Sequence, residues 1–451
     1  MTDKPVQEKS WQRWTDHLLR MQDVVGWTHA AAPLPTEVDA QLRLLLLDTI
    51  GCMLAGRVAP EVIAMEEQFS NLEYGPFCFP QGRRLSTMAA TTVGAMAATW
   101  DEACEGLALA HGRPGVPVLA ALLPLALTRD TRIGPFLAAL SAGYETGARA
   151  GNWLRIRPGM HVDANWPSLG VAAGVSHLLG LDAQDAVHAI NLAACQLPTS
   201  LYLPVAAGSA ARNTYLGHAA WLGTMSALSA QAGITAPADA LGYYADNYSA
   251  ATPEPLIASG RHLVLEGYLK PYAAVRHVHY GIEAARAARE QLNEGVTKIS
   301  RIRLKTYQEA ITYCGNRDPQ SAIQAQFSLS FGVAAGLRFG TLDPSIYRKD
   351  RFNEPEMRRL EKLVSIEVDP SLGIGERGAT LILEEGYSEA EATVKRIKGD
   401  PEDPMSQEEV AAKFLRYAAP SIDAEKAYHF AAAVVTCTPD TPMRQLWDLL
   451  F

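Results

Sequence analysis

The chain runs to 451 residues, 48% hydrophobic and 20% charged, which is more than one hydrophobic core usually serves and excludes the disordered and fibrous classes. Its net charge of -9, from 49 acidic against 40 basic side chains without a Lys/Arg run, argues against nucleic acid or a membrane surface as partner. An anionic small molecule must therefore meet a local cluster of cations.

The opening MTDKPVQEKSWQRW is too polar for a signal peptide, and the apolar run Leu44 to Leu47 is stopped by Asp48, so a cytoplasmic protein is expected. Cys52, Cys78, Cys104, Cys195, Cys314 and Cys437 are far apart with no C-x-x-C. Buried free thiols in a reducing compartment are expected, and no metal site.

From about residue 36 to 266 one helical pattern follows another, rich in Ala, Gly and Leu. Thr36 with Asp39 resembles a capping box and Gly56 a stop, framing LRLLLLDTIGCMLAG; similar punctuation brackets Ser86 to Trp100 and Ala183 to Ala194. The small residues of GVAAGV and LGHAAWLG suit close helix packing.

Near Lys270 the character changes. ISRIRLKTY, LVSIEVD, GATLILEEG and EATVKRI alternate with the period of half-buried strands, with helical stretches at Glu283 to Glu294 and Ser321 to Leu337. After the acidic, Pro-rich GDPEDPMS, Ser406 with Glu409 forms a capping box that opens a final helical pair. The expected fold is mostly α: a large all-helical domain from residues 1–268 and 402–451, plus a smaller inserted α+β lid domain over 269–401.

Three clusters combine titratable groups with groups that hold carboxylates. In WDEACEGLALAHGRPG, Glu102, Glu105, His111 and Arg113 crowd before a Gly-Pro turn; an exposed helix end with solvated charges is the plain alternative. In RPGMHVDANWP, His161 sits in a turn ahead of a small-residue helix, where loop placement suits a reactive side chain. The third cluster joins Arg212 of GSAARNTYLG to Lys270, Arg276, His277 and His279 of LKPYAAVRHVHY. His-Val-His could also be a metal pair, but no carboxylate or cysteine at ligand spacing accompanies it, and a cationic clamp for carboxylates fits better.

Taken together, LLDTIGCMLAG, RPGVPVLAALLPLA, LSAGYETGARAG, GMHVDANWPSLGVAAGVSHLLGLD, RNTYLGHAAWLGTMSALSAQAGITAP, LKPYAAVRHVHYGIEAA, AQFSLSFGVAAGL and RIKGDPEDPMSQEEVAAKF resemble the MmgE/PrpD family, in order and spacing, over nearly the whole chain. Known members of that family include 2-methylcitrate dehydratase, cis-aconitate decarboxylase and iminodisuccinate epimerase. The resemblance implies a homodimer with its active site between helical domain and lid, acting on a small polycarboxylate without a cofactor. It places His161 at the family's Gly-aromatic-His-Pro-Thr histidine, with Val162-Asp163 replacing Pro-Thr. Lys270 matches the lysine opening the lid segment, His279 a histidine at that segment's end, Glu102 the family's aspartate and Glu105 a nearby acidic residue. Arg212 stands where many members have lysine, Arg113 where the family usually has histidine, and Phe331 where some have tyrosine.

The expected mechanism is proton removal next to a carboxylate by His161, then loss of a β-leaving group such as water. Lys270, Glu102 and His111 are further catalytic candidates. Arg212, Arg113, Arg276, His279 and Glu105 would bind substrate. Epimerisation, decarboxylation, and a non-catalytic carboxylate-binding role are the alternatives.

Overall fold

The computed structural model describes residues 8–30, 33–249, 256–373 and 375–451. The helix Thr36–Gly56 is apolar around most of its circumference and is buried from Leu45 to Gly56, as such a helix must be. Against it pack Thr87–Thr99 and, from far along the chain, Gln407–Ala418. The helix Gly115–Thr128 is buried at every position but its last, and Ile133–Trp153 lies against Pro167–Leu179. There the glycines permit close backbone approach: a Cβ on Gly170 would stand 2.7 Å from the Gly143 carbonyl oxygen, and one on Gly223 would stand 2.5 Å from the Ser168 oxygen.

Two short two-stranded sheets interrupt the helices. β1 (Phe77–Cys78) pairs with β2 (Arg84–Leu85), and β3 (Met160–His161) with β4 (Ser200–Leu201), all antiparallel. The later sheet contains β5 (Ile299–Thr306), β6 (Val364–Val368), β7 (Ala379–Glu385) and β8 (Ser388–Val394) in the order β6-β5-β7-β8, with only β5 and β6 parallel. The helix Arg276–Arg289 covers β7 and β8, and Leu329–Phe339 packs on that helix. The fold is mostly α with a small α+β part. Among the described residues no helix is long and apolar enough to cross a membrane.

Several local expectations need correction. Thr36 caps nothing: Pro35 is the N-cap, its carbonyl accepts from Val38 and Asp39, and the Asp39 carboxylate pairs with Arg43 at 2.6 Å. The helix expected over Glu283 to Glu294 starts at Arg276 and stops at Arg289. The Ser321 to Leu337 stretch is two helices, Ala322–Gln326 and Leu329–Phe339, because Ser328 caps the second by accepting from the Phe331 N–H. The last strand covers Ser388–Val394, leaving Lys395 to Ile397 beyond it. Cys195 is exposed. Ser406 and Glu409 do form the expected capping box.

The return of the chain onto the first helices is secured by charge. Lys413, from the Gln407–Ala418 helix, donates to Asp48 Oδ1 at 2.6 Å and to the Ala103 carbonyl at 2.7 Å, all within the core. Removing one member of a buried pair leaves an uncompensated charge and costs about 3–5 kcal/mol, whereas apolar replacement of both is tolerated far better. Lys413→Met should lower the urea-unfolding free energy by about that amount, and Lys413→Met with Asp48→Leu should recover part of it. A single variant as stable as the unsubstituted protein would refute this role.

Candidate active site

The loop between Thr99 and Gly115 carries the first part of the site, and it is anchored from several directions. Arg348 binds Asp101 through both carboxylate oxygens at 3.2 and 3.1 Å, Lys413 holds the Ala103 carbonyl, and Glu105 Oε1 accepts from the Gly115 and Val116 N–H groups at 2.7 and 3.3 Å. Two residues of this loop are left-handed, Glu102 at φ 55° and His111 at φ 51°. A non-glycine residue in that region costs about 1–3 kcal/mol and persists where its surroundings over-determine it. For Glu102 those surroundings are a cage of cations.

Glu102 is 1% exposed. Its Oε1 accepts from Arg113 Nη2 at 2.8 Å and Lys270 Nζ at 2.7 Å; its Oε2 accepts from Arg212 Nη2; and its carbonyl receives Lys270 Nζ at 3.0 Å. Burial alone would raise the pKa of this carboxyl, but Arg113, Arg212 and Lys270 hold it well below the ordinary range. Burial pulls the Lys270 pKa down against the pull of Glu102.

His161 occupies a rung of the β3–β4 pair opposite Ser200, whose hydroxyl donates to the His161 carbonyl at 2.8 Å. Its ring lies beside those of Tyr202 and Tyr215, with centroids 6.1 and 5.7 Å away. Burial, reinforced by Arg212 and Arg113, lowers its pKa to about 4 although Asp163 opposes this, so the imidazole is neutral at pH 7. The Asp163 N–H donates to His161 Nδ1 at 3.2 Å. In a neutral ring an accepting Nδ1 leaves the proton on Nε2.

Asp163 is the residue that sequence reasoning passed over. Buried at 1% exposure, it directs Oδ2 toward Arg113 and Arg212, 3.7 Å from each, and toward His161 Nδ1 at 3.9 Å. Its place two residues after His161 was the available signal, but the turn that brings it back to both arginines is a tertiary feature. Glu102, Arg113, His161, Asp163, Tyr202 and Arg212 face one cavity of about 510 Å³. A second lobe of about 200 Å³ shares Glu102 and Arg113 and reaches Lys270, Arg276, His277 and Tyr268.

Five other residues stand differently. His111 lines both lobes but sits at the rim, outside the ion cluster. Arg276 pairs with Asp400 and lies over the Tyr268 ring at 4.7 Å, so its charge is already matched. His279 lines neither cavity: its Nε2–H donates to the Ala274 carbonyl at 3.1 Å and its ring packs on Tyr272. Glu105 lines the second lobe but holds a helix start through Oε1. Phe331 is buried against Tyr347 and Phe352. Among the described residues no three His, Cys, Asp or Glu side chains are grouped to hold a metal ion.

Burial pushes the Glu105 pKa up to about 8, outweighing the two N–H donors. A carboxyl whose folded pKa exceeds its unfolded value contributes stability that is complete below the unfolded pKa and is lost as pH rises through the folded one. Glu105→Gln should therefore flatten the decline in unfolding free energy between about pH 4.5 and 8, read by urea titration across that range. An unchanged slope would remove Glu105 as its source.

Two family models match the chain: the MmgE/PrpD N-terminal domain over residues 27–248 and the MmgE/PrpD C-terminal domain over residues 272–437. No curated protein compared with the chain matches it in sequence. With both models matched in order over most of its length, the chain belongs to the MmgE/PrpD family, generally enzymes of hydro-lyase, decarboxylase or epimerase type.

Proposed function

We propose that this protein is a cofactor-independent hydro-lyase of the 2-methylcitrate dehydratase kind, which removes a proton next to a carboxylate of a small di- or tricarboxylic acid and expels a β-hydroxyl as water. The observation that carries this reading is the convergence of Arg113, Arg212 and Lys270 on Glu102, where the two lobes of the cleft meet, beside a neutral imidazole. Guanidinium groups bind carboxylates through paired N–H donors. The same donors, fixed in place before reaction, offset the charge that grows on the carboxylate as the C–H bond breaks.

Elimination is favoured over epimerisation because a neutral imidazole and a carboxylate stand side by side in one lobe. His161 and Asp163 lie together within the ion cluster, whereas His111 stands apart at the rim. An epimerase needs a group on each face of the carbon; an elimination can use one face.

Proton NMR in D₂O with citrate, 2-methylcitrate, malate, tartrate and iminodisuccinate tests the reading. Deuterium should replace a C–H, or an alkene should form, with at least one acid. Arg212→Ala should cut that rate on the order of 10²-fold or more, the usual effect of removing one such donor. Thermal stabilisation by these acids with no exchange or turnover would instead identify a cleft that only binds.

A further inference from the structure

We infer that Asp163, rather than His161, takes the proton from the substrate carbon, while His161 presents Nε2–H as a hydrogen-bond donor to the developing negative charge. This inference rests on the carbon-acid reading above and assigns its proton acceptor.

A base needs a lone pair free to receive the proton, and the accepting atoms in the cleft can be taken in turn. Both oxygens of Glu102 are occupied, Oε1 by Arg113 and Lys270 and Oε2 by Arg212. Glu105 Oε1 is held by the Gly115 and Val116 N–H groups. Lys270 Nζ donates to the carboxylate and the carbonyl of Glu102. On His161, Nδ1 already accepts the Asp163 N–H at 3.2 Å, and Nε2 then bears the ring proton. Two buried carboxylate oxygens of cleft-lining residues have no hydrogen-bond partner among the described residues, Glu105 Oε2 and Asp163 Oδ1. Burial raises the Glu105 pKa to about 8, so that carboxyl already holds a proton at neutral pH, and it lines only the second lobe; Asp163 lines the lobe that holds His161 and Arg212 and is held ionised by the arginines. The other oxygen of Asp163 is only ion-paired, 3.7 Å from each of two guanidiniums.

Those guanidiniums, with His161, keep the Asp163 pKa below the ordinary range against burial. A substrate carboxylate binding to the same two arginines adds a like charge beside Asp163 and draws on the cations that had stabilised it. Both effects raise the basicity of Asp163 when substrate is present. In the reaction Asp163 Oδ1 takes the α-proton, and the C–H electron pair becomes the new C=C bond as the β C–O bond breaks. The departing hydroxyl takes the proton back from the Asp163 carboxyl and leaves as water. The carboxylate is regenerated, with no oxidant or reductant required.

The test compares Asp163→Asn, Asp163→Glu and His161→Gln with the unsubstituted protein, all full length, using the same acids and NMR readout. Asp163→Asn should lose on the order of 10²–10⁴-fold in exchange and turnover, the usual contribution of a general base. It should retain thermal stabilisation by the acid. Asp163→Glu, which keeps the carboxyl, should recover part of the rate, a rescue that a purely structural role would not produce. His161→Gln keeps an N–H donor and should lose less than Asp163→Asn. If Asp163→Asn keeps its rate within tenfold while His161→Gln abolishes it, the assignment of Asp163 is overturned and the carbon-acid reading survives. If the unsubstituted protein exchanges no proton in any acid, that reading falls and the assignment falls with it. Should Asp163→Asn fail to fold, Asp163→Glu decides: no more activity than background overturns the assignment.

Discussion

One buried carboxylate organises this molecule. Glu102 brings together Arg113 from the turn before a core helix, Arg212 from the approach to a later helix, and Lys270 from the strap leading into the sheet-bearing part. None of the three could be buried beside the others without it, because like charges in a low-dielectric site repel and each ion taken from water costs several kcal/mol unless matched. Glu102 thus fixes the relative positions of segments separated by as many as 168 residues. It does so from a left-handed backbone conformation that the surrounding anchors enforce.

Those anchors tie the fold to the site. Asp101 is held by Arg348 from the sheet-bearing part, Ala103 by Lys413 from the Gln407–Ala418 helix, and Glu105 by the start of the Gly115–Thr128 helix. A loop in the helical part is fastened both by the helix that follows it and by residues from far along the chain. Rigid placement of the cations is what allows their N–H groups to stabilise charge without reorganising during reaction. The result is a clamp already matched by two carboxylates, Glu102 and Asp163, in which an incoming anion competes for donors that face the cavity.

Much of this was readable in the sequence, for definite reasons. Helices such as Thr87–Thr99 and Ala183–Ala194 announce themselves because their caps, Ser86 and Asp182, lie next to the pattern they close. The strands were visible because two-residue alternation is local. Glu102, Arg113, Arg212, Lys270 and His161 were singled out from their chemistry and the family resemblance, and the fold gathers all five. The failures are tertiary. His279 carries a reactive group but turns inward to Ala274, and Arg276 meets Asp400 from 124 residues away, as their numbers show. Asp163 read as a departure from a motif, since nothing in HVDANWP reveals that its carboxylate faces two distant arginines or that its N–H sets the histidine tautomer.

The most direct test of this organisation is the urea-unfolding free energy of Glu102→Gln, a substitution that keeps size and shape while removing the charge. Lys270 would then lose its ion-pair partner and the two arginines would keep only Asp163, 3.7 Å away, and breaking such buried pairing costs about 3–5 kcal/mol. A fall of that size, with an unchanged dependence on urea concentration, is the predicted result. An unfolding midpoint equal to that of the unsubstituted protein would contradict the central place of Glu102.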